Sequence, residues 1–490
     1  MPLKHFDLVF RNGTIVDGTG NSRFGGDLGI RNGRLEAVGD VGAAQAASEF
    51  DLKGKIVSPG FIDVHTHDDQ LLFVSPEMSP KVSQGVTTVL TGLCGISLAP
   101  LISNSVPPPL NLLDAGGAYR FGSFHEFMAA LETHPSAVNV LPFVGHCTLR
   151  VATMDDVRRP ARPDEIHRMQ KMVGEAMAAG AGGVSTGLAY RPAANSTTDE
   201  VIEICRPMAG TGGVYLTHLR DEGGRILDSL DEAMRIGQAV GAKVVISHLK
   251  VIGTANHGRS AEILSWFDRS GKCHPMAYDC YPYHATSTIL VADRATESSR
   301  VMITWSEPHP EFAGWDLSQA AEKLRLPVEA AVERLQPAGA VYFALAEEDV
   351  VNILRHEGGM IGSDGLPHDK APHPRLWGTF PRVLGHYCRE QKLFPLETAV
   401  RKMTGLAADC YRIKERGLLK PGFWADLVVF DEQTVADSAT YDNPIQAARG
   451  IDLVVVNGEI VWRDGCPSGR RPGRLLRRSS FQPPVTGGCL

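Results

Sequence analysis

From residue 59 onward the chain alternates short apolar segments with stretches of helical period, and this alternation constrains its fold more than any other feature. Eight segments qualify: residues 60–67, 87–94, 138–146, 183–188, 213–218, 243–248, 275–279 and 360–364. Continuous apolar runs joined by helices are the pattern of a parallel sheet buried on both faces. Eight such βα units in roughly 350 residues lead us to expect an α/β fold, a (β/α)8 TIM barrel. Helical patterns at 165–179 and 226–239 fit the connections. Residues 284–348 exceed what one connection needs. They would form an insertion at the mouth of the barrel, with the place of a lid or specificity element.

The two chain ends differ in texture. Residues 6–58 hold short alternating strands with Asn12-Gly13 and Asn32-Gly33, both read as hairpin turns. After about 414 the pattern returns in Ala425–Asp431 and Leu453–Val461, with Asn457-Gly458 between apolar runs. The expected domains are therefore 1–58 and 415–490 as the two parts of a small β-sandwich, with the barrel at 59–414. The tail from about 466 is expected to be irregular, and its basic stretch Arg470–Arg478 reads as a solvated charge run.

Polar residues stand where the apolar segments end. His65 and His67 lie two apart, so an extended chain points both to one face. Cys94 ends the second segment, His218 the fifth, His248 the sixth and Asp364 the eighth. In a barrel these ends meet at one mouth, where the active sites of that fold lie. Imidazole, thiolate and carboxylate are all suitable Zn²⁺ ligands, so we read a metal site. Taken singly, each of these residues has an ordinary structural explanation; it is their shared position that argues for a metal. Arg375 offers a fork for a carboxylate, Lys250 follows His248 by two residues, and Tyr281 carries a hydroxyl. Tyr190 is a further pocket candidate. His368 and His373 read equally well as pocket or loop histidines.

Composition narrows the remaining classes. A net charge of -7 argues against a nucleic-acid partner. Nine cysteines without regular spacing form no disulfide framework and suit a reducing compartment. The first seven residues lack a long apolar core and no run spans a membrane. A cytoplasmic protein with no membrane partner is expected, its oligomeric state open.

The His-x-His of the first segment, the single histidines of the fifth and sixth and the aspartate of the eighth resemble the amidohydrolase superfamily. More narrowly, His65-Thr66-His67-Asp68-Asp69, Cys94-Gly95-Ile96-Ser97, Ser247-His248 with Lys250, Tyr281-Pro282-Tyr283, Gly362-Ser363-Asp364-Gly365 and His373-Pro374-Arg375 resemble the N-acyl-D-amino-acid deacylase (D-aminoacylase) family. The resemblance spans nearly the whole chain. It implies a tight Zn²⁺ on Cys94, His218 and His248, and a weaker second position lined by His65, His67 and Asp364 with Cys94 able to bridge. It assigns Lys250, Tyr281 and Arg375 to the substrate α-carboxylate of an N-acyl amino acid. The expected reaction is attack of metal-bound hydroxide on the acyl amide, with Asp364 passing the water's proton to the leaving amine. The D-enantiomer rests on the resemblance alone. Leu93 and Leu249 depart from the family, which often has Asn and His there. The alternatives are a cyclic-amide hydrolase of the hydantoinase or dihydroorotase type, which bridges metals with a carboxylated lysine, and a non-catalytic metal-binding scaffold.

Overall fold

The computed structural model describes residues 4–113 and 116–478. Two runs of parallel strands hold the functional residues. In the first, Phe61–Asp63 pairs with Val86–Thr91, which pairs with Asn139–Pro142. The second runs Val144–Gly145, Gly183–Gly187, Val214–His218, Lys243–Ile246, Met276–Cys280 and Gly359–Ile361, every pair parallel. Only Phe143 separates the runs, and its amide donates to the Thr91 carbonyl at 2.9 Å. At the outer edges, the Asp364 amide donates to the His65 carbonyl at 2.8 Å, and Thr66 bridges Gly365 in parallel sense.

These strands form because their side chains are buried on both sides. Ile62, Leu90, Leu141, Leu216, Val245 and Met360 share one core cluster with Ala407, Ala408 and Tyr411, so the Gly405–Cys410 helix packs against the strand interior. Fully burying a side chain of this size contributes about 1.5–3 kcal/mol. The helices between strands stop where glycine can turn left-handed: Pro163–Ala179 ends at Gly180, φ 98°, and Ile226–Val240 at Gly241, φ 69°.

Both chain ends enter one nine-stranded sheet. Ile56–Pro59 joins them, parallel to Lys4–Ile15 on one side and antiparallel to Leu427–Phe430 on the other. Asn32-Gly33 and Asn457-Gly458 are tight turns with both residues at positive φ. Asn12-Gly13 is different and corrects the sequence reading. Lys4–Ile15 is one strand of 12 residues, with a register shift between Phe10 and Gly13. Asn12 takes φ 56°, its amide donates to Asp27 Oδ1 at 2.9 Å and its side chain to Asp51 Oδ1 at 3.0 Å. Those partners turn the left-handed residue into a bulge rather than a reversal.

The 284–348 insertion contains a three-stranded antiparallel sheet, Thr286–Ile289, Ala338–Phe343 and Arg300–Ser306, with helices Leu317–Leu324 and Val328–Leu335. The basic tail also departs from expectation. Its backbone is docked: the Val140 amide donates to Arg474 O at 3.0 Å, Leu476 N to Val140 O at 2.7 Å and Arg478 N to Gly180 O at 2.9 Å. Val140 of the Asn139–Pro142 strand and Gly180 supply those partners, so the backbone is a docked strap, while the side chains of Arg470, Arg471, Arg474 and Arg477 are exposed as the charge run led us to expect. The expected C-terminal segment extends to 490, and residues 479–490 lie outside the described residues. No described helix is long and apolar enough to cross a membrane.

Candidate metal centre and active site

Strand ends deliver the candidate ligands, and the backbone bends sharply to do so. Cys94, His248 and Asp364 all adopt positive φ, at 52°, 37° and 50°. Non-glycine residues enter that region at a cost and cluster where function over-determines them. The neighbouring chain is tight: a Cβ on Gly187 would sit 2.2 Å from the Cys94 carbonyl oxygen. Thr66 anchors the first strand end by donating to Leu90 O at 2.7 Å.

All six residues read as ligands come together. His65 Nε2 lies 3.2 Å and His248 Nε2 3.3 Å from Cys94 Sγ. His67 Nε2 lies 3.2 Å and His65 Nε2 3.6 Å from Asp364 Oδ1. Donor atoms of His65, His67, Cys94 and Asp364 fall within 4.8 Å of one another, as do those of Cys94, His218 and His248. Cys94 belongs to both groups. The ring nitrogens of His218 are buried without a hydrogen bond. Buried imidazole is normally satisfied, so this orphaned pair fits a metal ligand. Thiolate, imidazole and carboxylate donors at this spacing suit Zn²⁺.

The charges of the cluster are mutually supporting. Burial opposes ionisation of the Cys94 thiol, yet the positive rings of His65 and His248 hold it well below the ordinary thiol range. Burial likewise disfavours charged His65 and His67, but Asp279 and Cys94 lift His65 well above its usual value, and Asp364 with Cys94 lifts His67 to about 9. His218 differs: burial wins, and its pKa is lowered. Asp364 is held far below the carboxylate range, against burial, by Arg375, His248 and His67.

The substrate-side candidates adjoin this cluster. Arg375 is fully buried; its Nη2 forms an ion pair with Asp364 Oδ2 at 2.9 Å and donates to Ser287 O at 3.0 Å. Its guanidinium lies 4.7 Å from the Tyr281 ring centre. Arg375 Nε and Nη1 and the Tyr281 hydroxyl are buried without hydrogen bonds. Lys250 Nζ contacts Glu222 and lies 2.7 Å from His248 Nδ1. Tyr190 sits 4.8 Å from the His218 ring and its hydroxyl pairs with Thr288 at 3.1 Å. A cavity of about 1160 Å³ opens beside Tyr190, Glu222 and Thr288. His373 is a loop anchor: Nδ1 accepts from the Arg375 amide at 3.0 Å and Nε2 donates to Ala285 O at 3.1 Å. Leu93 and Leu249 are buried in the core.

Two carboxylates escaped the sequence reading. Asp279 holds His65 Nδ1 at 3.2 Å and accepts from the His248 amide at 2.9 Å. Its signal was there, since it ends the seventh apolar segment. Glu222 lies 3.1 Å from His248 Nδ1 and 3.5 Å from His218 Nε2, besides pairing Lys250. It follows His218 by four residues, which says nothing of its role without the fold. Beneath the site Lys81 is fully buried between Asp63 at 2.8 Å and Asp68 at 3.3 Å.

The chain matches the amidohydrolase family model over residues 48–339 and 309–462. It is 51% identical to the D-aminoacylase of Alcaligenes xylosoxydans xylosoxydans, over 97% of this chain and 98% of that protein. It is 49% identical to the N-acyl-D-aspartate deacylase of the same organism, over 96% and 95%. The crystal structure of the N-acyl-D-glutamate deacylase from Bordetella bronchiseptica, complexed with zinc and a phosphonate mimic of the tetrahedral intermediate, superposes with a TM-score of 0.94 at 43% identity, covering 97% of this chain and all of that one. With its cysteine-centred cluster and near full-length match, the chain belongs to the N-acyl-D-amino-acid deacylase family of amidohydrolases.

Proposed function

We propose that this protein is a zinc-dependent hydrolase of N-acyl-D-amino acids, releasing a carboxylate and a free D-amino acid. The observation that carries the reading is the buried Arg375, whose Nε and Nη1 stand unpartnered while Nη2 holds Asp364. A free guanidinium fork in a dry site suits a carboxylate. Tyr281 and Lys250 complete that subsite, and Tyr190 lines the cavity next to it. Cys94, His218 and His248 hold the tight metal in this reading; His65, His67, Asp364 and a shared Cys94 line a weaker second position. Bound zinc supplies a Lewis acid and lowers the pKa of water. Asp364, ionised and fixed by Arg375 and His67, takes the proton of the attacking water and returns it to the amide nitrogen as the C–N bond breaks. Asp279 and Glu222 orient the histidines through their second nitrogens. The D-enantiomer is supported by the names of the relatives.

The same proposal takes the two parallel runs as one (β/α)8 barrel over 59–414, supported by the continuity through Phe143 and the Asp364–His65 contact. The division into 1–58 and 415–490 as one accessory β unit is supported, within the described residues, by the pairing of Ile56–Pro59 with Leu427–Phe430. We place the protein in the cytoplasm on its cysteine usage. A cyclic-amide hydrolase is disfavoured because the buried lysines beside the site are engaged, Lys81 with Asp63 and Lys250 with Glu222.

The test is a panel of N-acetyl D- and L-amino acids with metal analysis of the same preparations. Hydrolysis of D-substrates in proportion to zinc content is expected. Turnover of L-substrates alone, or none by zinc-loaded protein, overturns the proposal.

A further inference from the structure

The basic stretch that the catalytic reading leaves unused has its own place in the fold. The Arg474–Arg478 strap lies against the Asn139–Pro142 strand, whereas the metal donors project from strand ends such as His218. Where the strap meets the loop after Cys410, a cavity of about 230 Å³ is lined by Arg412, Lys414, Arg416, Arg474, Arg477 and Arg478, and by no acidic residue. In a chain of net charge -7 such a concentration runs against the whole.

Partial compensation makes the excess plain. Arg416 pairs with Asp426 outside the lining, and Arg477 with Glu132 at 2.6 Å. Arg478 spends its donors on backbone carbonyls, Thr211 and Met177, and leaves Nε buried without a partner. Lys414 and Arg474 form no ion pair among the described residues. Arg474 lies 3.9 Å from the Trp424 ring centre, and the same indole takes Arg34 at 4.1 Å and Arg416 at 5.3 Å. Arg34 is paired with Glu415 at 2.8 Å and Arg416 with Asp426, so Arg474 is the one guanidinium at this ring without a carboxylate partner among the described residues. Arg474 is exposed overall; partial desolvation of its guanidinium and then Arg416 lower its pKa, Asp426 opposes them and Arg34 adds to the lowering.

We propose that this cavity is a binding site for a small polyvalent oxyanion of the phosphate class. Guanidinium forks match tetrahedral oxyanions in geometry, and an anion of two or more charges would meet the positive charge of Lys414 and Arg474, which have no ion pair among the described residues, and the buried free Nε of Arg478. The small volume of this half-open cavity favours a free ion or a small phosphomonoester over a polymer backbone. Because the strap supplies half of the cations and the 412–416 loop the other half, the anion ties the chain's C-terminal strap to the body of the protein.

The experiment is calorimetric titration and thermal melting of the full-length, zinc-loaded protein with inorganic phosphate, against chloride at matched ionic strength. Saturable binding and a phosphate-specific rise in Tm are expected. Arg474→Ala and the exposed Lys414→Ala should each weaken phosphate binding, Arg474→Ala by about tenfold or more, a loss typical of one charge-assisted contact. Deacylation should be unchanged in both variants. Stabilisation equal to that of chloride, or variants that bind phosphate as the parent does because the metal site takes it, would overturn the proposal.

Discussion

The two sides of the metal cluster are built alike and charged differently. On one side His65 and His67 face Asp279 and Asp364, and both rings are driven toward the protonated state. On the other, His218 and His248 share Glu222 with Lys250, and His218 is driven toward neutrality. A metal needs deprotonated ligands. His248 is raised but His218 is not, so the His218–His248 side gives up fewer protons on loading, a physical reason for the proposed tight position to lie there. The difference also separates tasks. Asp279 serves the proposed ligand His65 and the His248 backbone, while Glu222 couples the His218–His248 side to the lysine proposed to hold substrate.

The largest expected effect comes from the residue common to both sides. Cys94→Ala should lose both metals, as measured by metal content, and lower kcat/KM by more than about 100-fold, since even the partners behind metal ligands cost 10–100-fold. Full zinc and full rate in that variant would break the comparison at its root. Asp364→Asn should keep zinc on Cys94, His218 and His248 while kcat falls by about 10²–10⁴, the range for a lost proton-transfer group. Arg375→Lys keeps the charge but not the fork; KM for the N-acetyl amino acid should rise roughly 10–100-fold, the cost of one or two charge-assisted hydrogen bonds.

Much of this was legible in the chain itself. Six ligand candidates stood at strand ends, and two-residue spacing alone made His65 and His67 one face. Asp279 and Glu222 were not legible, because a carboxylate becomes a partner only when the fold brings a distant ring to it, across 214 residues in the case of His65 and Asp279. The Asn12-Gly13 bulge failed for a related reason: the turn signal is local, but Asp27 and Asp51 that convert it are not. The strap was hidden because charge dominates its composition while its docking is carried by backbone groups.

The two carboxylates supply the next contrast. Asp279→Asn should loosen the His65 side and Glu222→Gln the His218–His248 side, each by about 10–100-fold in metal affinity. Only Glu222→Gln should also raise KM, because Lys250 loses its partner. Equal KM values in the two variants would show that Glu222 has no link to the substrate subsite.

The smallest effect is the most direct readout of the charge difference. With a pKa of about 9, His67 carries a proton at pH 7 in metal-free protein and must release it to become a ligand. Affinity for the second metal should rise with pH, because His65 and His67 both release a proton on binding, and the His67 contribution should level off above pH 9, where its ring becomes neutral. Affinity for the first metal should rise less steeply, because His218 is held neutral and only His248, whose pKa is raised, has a ring proton to lose. Folding of the metal-free protein responds with the opposite sign. The folded pKa of His67 lies above the unfolded value near 6.5, so its contribution is complete below pH 6.5 and vanishes as pH passes 9. Metal-free protein should thus lose stability to denaturant between pH 6.5 and 9 while its second site gains affinity. Parallel pH profiles for the two metals would show that the sides of the cluster are charged alike.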